Sequence, residues 1–219
     1  MATDGFQVTD GLVEKDRCED LAAQLDVALD GRAGVRHLAL HPSVAALARD
    51  PRLLGLASAA LGRPATPYRA TLIAKRREAN WLITWHQDTA LPMAARFEAP
   101  GWGPWSTKRG VLYAHAPAWA LERVIALRVY LDDSNGSNGP LRVVPGSHRA
   151  GVLSDDAVLA AAHAGTAVAC LVPRGGVLAM SPLLLHASSK ATDPAPRRVL
   201  HLEYAVSFAL APGIGLAIA

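Results

Sequence analysis

The sequence is expected to fold as a mainly β protein with N-terminal helices, its strands forming a sandwich or barrel of jelly-roll type. Three observations carry this expectation. Before residue 63 apolar residues recur at helical spacing, and after it short β-branched and aromatic runs are punctuated by Gly, Pro and Asn. The third is size: 219 residues, 51% of them hydrophobic, suffice for one sizeable core and are short for two. Residues 1–219 are therefore read as one domain, with 1–62 a mostly helical cap and 63–210 the jelly-roll core.

The elements follow in order. From Val13 to Leu29, Cys18, Leu21, Ala22, Leu25, Ala28 and Leu29 lie on one helical face with charges opposite, and Gly31 closes the segment. Pro42 to Leu61 reads as two short helices, HPSVAALARD and PRLLGLASAALG. They part at Asp50-Pro51, because a residue before proline is pushed out of the α region, and the second ends at Gly62. The β runs are YRATLIAKR, NWLITWHQD, GVLYAHA, ERVIALRVYLDD, GPLRVVPGSH, AVACLVPRGGVLAM, PLLLHASS and RRVLHLEYAVSFAL, with turn clusters at SNGSNGP and PRGG. The apolar C-terminus, interrupted by Glu203, Pro212 and glycines, reads as a last core strand and a tail rather than a membrane span.

Composition narrows the partners. The formal charge is +3, but the 22 Lys and Arg are scattered, without the contiguous stripe that a nucleic-acid footprint needs. A small-molecule partner is expected, with no nucleic acid and no membrane; the sequence leaves oligomeric state open. Cys18 and Cys170 match no zinc or redox spacing and read as reduced, partly buried thiols. With no basic stretch and apolar core at the N-terminus, the expected compartment is the cytoplasm.

The chemistry begins at WHQDTA. On a strand, His86 and Asp88 would project from one face, about 7 Å apart, a workable spacing for two ligands of one metal; a surface strand end with a capping Asp would look the same. His186 ends the apolar run SPLLLH, where a hydrogen-bonded core histidine is the common alternative. Together, two imidazoles and one carboxylate make the facial triad of non-haem Fe(II) oxygenases, which leaves coordination positions open. Arg197 follows eleven positions after His186. On an antiparallel partner of the His186 strand it would return toward the metal and could clamp a carboxylate through two parallel hydrogen bonds. The alternative is a pair of solvated arginines, Arg197 and Arg198.

WHQD, GPLRVVPGSHRAG with its preceding LDD, and LLLHASS followed by PRR resemble the phytanoyl-CoA dioxygenase family of Fe(II)- and 2-oxoglutarate-dependent oxygenases, from GFQVTDGL to about Phe208. The resemblance implies a double-stranded β-helix, a cupin-like jelly roll. It implies His86, Asp88 and His186 as iron ligands and catalytic centre, and Arg197 on the C5 carboxylate of 2-oxoglutarate with Ser188 assisting. The implied reaction uses O₂ and 2-oxoglutarate, hydroxylates a C–H bond of a small molecule, and releases succinate and CO₂. Lys75, with Thr71 on the same strand face, could reach the co-substrate, though a solvated lysine reads equally well. Trp102 or Trp105 occupies roughly the place of a family aromatic lid, and His148 is expected to pack in a turn rather than bind metal. The short chain and the lack of an acyl-CoA signature argue against phytanoyl-CoA as substrate, and Asp88 argues against the halide-binding variant. The rivals are a jelly-roll site holding zinc or another divalent ion without 2-oxoglutarate, and a non-catalytic small-molecule binding protein.

Overall fold

The structure is a computed structural model that describes residues 1, 3–77, 79–193 and 195–219. Along the chain come β1 (Phe6–Thr9), α1 (Lys15–Leu29), β2 (Gly34–Arg36), α2 (Pro42–Ala48) and α3 (Pro51–Leu61). Then follow β3 (Thr66–Lys75), β4 (Ile83–His86), β5 (Ala90–Met93), β6 (Trp105–Lys108), β7 (Val111–His115), α4 (Ala118–Leu121) and β8 (Val124–Tyr130). The rest are β9 (Leu141–Val143), α5 (Asp155–Ala164), β10 (Val168–Cys170), β11 (Val177–Met180), β12 (His186–Ser188), β13 (Arg197–Ala205), β14 (Ala209–Ala211) and β15 (Ile214–Gly215).

The protein is mainly β with few helices, and its sheets are antiparallel. A six-stranded sheet runs β1-β11-β8-β13-β3-β2, and a four-stranded sheet runs β10-β9-β12-β4. Strands β5, β7 and β6 form a smaller sheet beside them. The period-two alternation of the central strands explains the layering. On β13, Leu200, Leu202 and Tyr204 face outward into a cluster with Leu21, Leu25 and Leu29 of α1 and Leu53 of α3. Each such leucine, buried, contributes about 1.5–3 kcal/mol. The opposite face of the sheet packs Ala126, Tyr130, Leu178, Met180 and Val199 against Leu141, Val143 and Cys170 of the four-stranded sheet. That inner face also carries Arg197, His201 and Glu203, because they alternate with the outward leucines.

Local chemistry sets the helix ends. The Asp50 carboxylate caps α3 by accepting from the Arg52 N–H at 3.0 Å, and Gly62, at φ 66, closes it. At Gly175 (φ +81) a Cβ would lie 2.1 Å from the Val13 carbonyl oxygen, so the PRGG turn closes on the chain ahead of α1 only as glycine.

Three expectations are corrected. The N-terminal segment is not only a helical cap: β1 falls in GFQVTDGL, where the family resemblance implies an opening strand, but β2 was not expected, and the two are the edge strands of the six-stranded sheet; at three residues β2 is too short to show alternation. Helices do not stop at residue 62, because α5 follows β9. Its signals were present: Ser154 caps it by accepting from the Ala157 N–H, with Asp155 and Asp156 in its first turn. Finally, β13 is not the partner of β12. Strand β12 pairs with β4 and β9, while β13 pairs with β3 and β8 in the opposite sheet. Successive strands here cross between sheets, so Arg197 lies on the sheet opposite His186 rather than beside it in a ladder. No helix among the described residues is long and apolar enough to cross a membrane.

Candidate active site

His86 ends β4 and His186 begins β12, and the two are direct cross-strand partners. Their ring centroids are 4.1 Å apart. Asp88 lies beyond the end of β4, not on it; its N–H donates to the Pro182 carbonyl at 2.9 Å, which turns the chain back toward the histidines. Its carboxylate oxygens stand 3.7 Å from His86 Nε2 and 3.4 Å from His186 Nε2. One ligand atom from each residue falls within 4.8 Å of the others.

Both imidazoles are fixed in the same way. His86 Nδ1 lies 2.8 Å from the Thr84 carbonyl oxygen and His186 Nδ1 lies 2.9 Å from that of Leu184. A carbonyl can only accept, so each Nδ1 carries the proton and each Nε2 presents its lone pair to the cluster. Burial opposes ionisation of Asp88, but the neighbouring His186, with His201 and His86, holds its carboxyl well below the usual range. Burial and His186 push His86 below the ordinary histidine value, favouring the neutral, ligating form. Two neutral imidazole nitrogens and an anionic oxygen, converging from one side, fit a divalent iron with positions left open.

These residues line a cavity of ≈ 460 Å³ whose walls include Thr71, Trp81, Ile83, Arg128, Leu141 and His201. Behind it the inner face of the six-stranded sheet is cationic. Arg197 and Lys75 are direct cross-strand partners, 2% and 1% exposed. Lys75 Nζ donates to Ser188 Oγ at 2.7 Å and to the Ser189 carbonyl, and Ser188 Oγ donates to the Gly139 carbonyl at 2.8 Å. Arg197 Nε donates to the Asn138 carbonyl at 3.1 Å, while its Nη1 is buried without a partner. Thr71 Oγ1 and Arg128 Nε are buried and unpartnered as well. Among the described residues, no carboxylate lies within ion-pair distance of Lys75, Arg128 or Arg197. Burial, with Arg197 and Arg128 adding repulsion, lowers Lys75 to about 8. Burial lowers Arg197 to about 10, Arg128 adding to the effect. Unpaired buried cations are costly, and an anion is what this wall lacks. Arg198 points to the other face, where Asp132 and Asp26 accept from it.

Other expected residues lie elsewhere. Neither Trp102 nor Trp105 lines the cavity: both pack edge-on against Phe97, at 5.0 and 5.1 Å, in a separate apolar cluster. The tryptophan at the cavity is Trp81, with Lys75 Nζ 5.9 Å from its ring centre. His148 sits in the 3₁₀ turn Ser147–Ala150 close against Gly5, outside the ligand cluster. The sequence reading missed Arg128, His201, Glu203 and Arg69. Arg128 Nη1 lies 3.2 Å from His201 Nδ1, and Arg69 pairs with Glu203 at 2.9 Å. Their signal was available, since each stands at an even offset from an inward residue inside an apolar strand: Arg128 in VIALRVY, His201 and Glu203 after Arg197.

Fold and site together define a two-sheet antiparallel protein with a two-histidine, one-carboxylate cluster against a cationic wall. Residues 1–199 match the family described as Phytanoyl-CoA dioxygenase (PhyH), and the chain belongs to that family. It is 28% identical over 186 residues to L-proline trans-4-hydroxylase of Streptomyces griseoviridis, covering 73% of this chain and 62% of that protein's length, so it spans less than two thirds of the relative. The crystal structure of AviO1 from Streptomyces viridochromogenes shares the fold at a TM-score of 0.69 and 24% identity, over 98% of this chain and 93% of that one. EctD from S. alaskensis, solved with 2-oxoglutarate and 5-hydroxyectoine, also matches at a TM-score of 0.69 and 24% identity, over 93% of this chain and 72% of that one.

Proposed function

We propose that the protein is a non-haem Fe(II)/2-oxoglutarate-dependent dioxygenase, a single oxygenase domain over residues 1–219, that hydroxylates a C–H bond of a small molecule. In this reading the two facing sheets are a double-stranded β-helix, the cupin-like jelly roll. One observation carries it: the donor cluster of His86, Asp88 and His186 opens on a cavity backed by buried cations that have no acid partner. A zinc hydrolase would need the cluster and have no use for the cations. A dicarboxylate that chelates the metal at one end needs both. Iron held there supplies O₂ activation, coupled to conversion of 2-oxoglutarate to succinate and CO₂ with the second oxygen atom entering the substrate C–H bond.

The chain's own residues bind and orient. The carbonyls of Thr84 and Leu184 hold the imidazoles with Nε2 inward. Arg197 clamps the C5 carboxylate end-on through its Nη groups, Nη1 being buried without a partner, while Nε stays on the Asn138 carbonyl. Ser188, Lys75 and Thr71 assist, because the Lys75 ammonium and Ser188 hydroxyl already meet beside Arg197. Trp81, Ile83 and Leu141 exclude water. The proline hydroxylase relative and the EctD complex support the activity by family likeness. Two free, buried thiols, Cys18 and Cys170, suit the cytoplasm.

The test is to supply Fe(II), 2-oxoglutarate and O₂ to the purified protein and measure succinate. Slow formation without prime substrate, abolished by His186→Ala, is expected. Folded, iron-loaded protein that forms none would remove the assignment.

A further inference from the structure

Resting on that reading and sharpening its substrate, we propose that the molecule oxidised is a small organic anion, received at the cavity mouth by Arg36 and Lys108 around the Tyr113 ring. Arg36 ends β2 as the direct cross-strand partner of Thr71, so both side chains leave the same face of the sheet. It lines the same cavity as His86, Asp88 and His186, and its side chain has no hydrogen bond or ion pair among the described residues.

Next to it the Tyr113 ring gathers basic groups. Lys108 Nζ lies 4.8 Å and Arg69 Cζ 5.2 Å from the ring centre. His37 Nε2 is 3.1 Å from the Tyr113 hydroxyl, and the two rings stack with centroids 6.1 Å apart. His37 holds a left-handed backbone, φ 65, a conformation a histidine adopts at some cost and one that functional sites often retain. The groups facing Lys108 are Arg36, Arg69 and Asp88; burial and the two arginines push it below the ordinary lysine range against the pull of Asp88.

Charge balance then decides the class of ligand. Arg69 is already paired with Glu203. Divalent iron, Asp88 and the co-substrate dianion together leave one negative charge, which Arg197 alone cancels. Lys75, Arg128, Arg36 and Lys108 remain without an acid, Arg128 and Arg36 in the cavity wall and Lys108 over the Tyr113 ring, and a cationic or neutral molecule would leave them so. A carboxylate, sulfonate or phosphate on the substrate supplies the missing charge, and its distance from the iron fixes which C–H bond is presented.

The experiment is saturation-transfer NMR of benzenesulfonate, a weakly chelating monoanion, against methyl phenyl sulfone, its uncharged near-isostere. Both are added without oxygen to protein saturated with 2-oxoglutarate, with and without Fe(II). The sulfonate should bind and the sulfone should not. The double substitution Arg36→Gln, Lys108→Gln should weaken the sulfonate on the order of tenfold or more, and Arg36→Lys should restore most of it. Equal transfer to both compounds, none to the sulfonate, or an unchanged double variant overturns the proposal. The visible chelate band recorded on the same samples separates the two readings. Sulfonate binding without a band sinks the 2-oxoglutarate assignment alone; a band without sulfonate binding sinks the anion site alone.

Discussion

Arg197→Ala separates binding from stability in opposite directions. The guanidinium is 2% exposed, its Nη1 has no partner, and its neighbours Lys75 and Arg128 are cations. As a clamp on the co-substrate it is one half of a buried charge pair, and truncating such a partner costs about 2–5 kcal/mol, or roughly thirtyfold to several thousandfold in affinity. In the unbound protein the same side chain is a buried charge without a counter-ion, so its removal should leave the melting temperature unchanged or raise it. Arg197→Lys should recover only part of the affinity, because a point charge cannot reproduce the bidentate fork. Arg198→Ala should show the reverse pattern. It loses the paired bonds to Asp132 and the bond to Asp26, lowering stability with little effect on co-substrate. Anaerobic calorimetric titration of 2-oxoglutarate into each iron-loaded variant, with a thermal melt of the unbound form, measures all of this. Normal affinity in Arg197→Ala together with a loss in Arg198→Ala would refute the clamp.

His86→Ala, Asp88→Ala and His186→Ala should each abolish succinate formation while the circular dichroism spectrum is retained, and His148→Ala should keep iron; full turnover in any of the first three removes that residue from the ligand set. Lys75, lowered to about 8 in the unbound protein, should make 2-oxoglutarate affinity fall as pH rises through 8, where the ammonium that favours the anion is lost, and Lys75→Met should flatten that profile. The sign for stability is opposite: the folded value lies below the unfolded one, so the penalty of burying charged Lys75 is complete below pH 8 and is relieved toward pH 10.5. Glu203→Ala should cost about 3–5 kcal/mol in urea denaturation, because it strands Arg69 in a site where the pair is 4% and 12% exposed. Phytanoyl-CoA should not lead a broad panel of compounds tested for stimulation of succinate release; if it did, the small-anion substrate would be refuted.

Legibility in the sequence followed the range of the interaction. Helices α1 to α3 were readable because caps, prolines and a 3.6-residue period are local, and Asp50 and Gly62 stand where such signals end helices. The grouping of His86, Asp88 and His186 was legible through spacing and family motifs, yet the sheet that carries Arg197 was not. Whether the strand after His186 pairs beside it or crosses to the facing sheet is a property of topology, and both paths satisfy the same alternation. Arg128 was passed over because VIALRVY reads as one buried run, in which a lone arginine looks like a strand defect; only with β13 beside it does His201 become its partner. The tryptophans show the same limit, since nothing local tells Trp102 and Trp105 that Phe97 will gather them away from the cavity.

The most direct test of the account is anaerobic addition of Fe(II) and then 2-oxoglutarate to the protein, followed by visible spectroscopy. A weak charge-transfer band is expected that requires both additions, saturates at one equivalent of each, fails to form with glutarate, which lacks the keto group, and is absent in His186→Ala. Folded protein that binds iron yet gives no band with 2-oxoglutarate would contradict it.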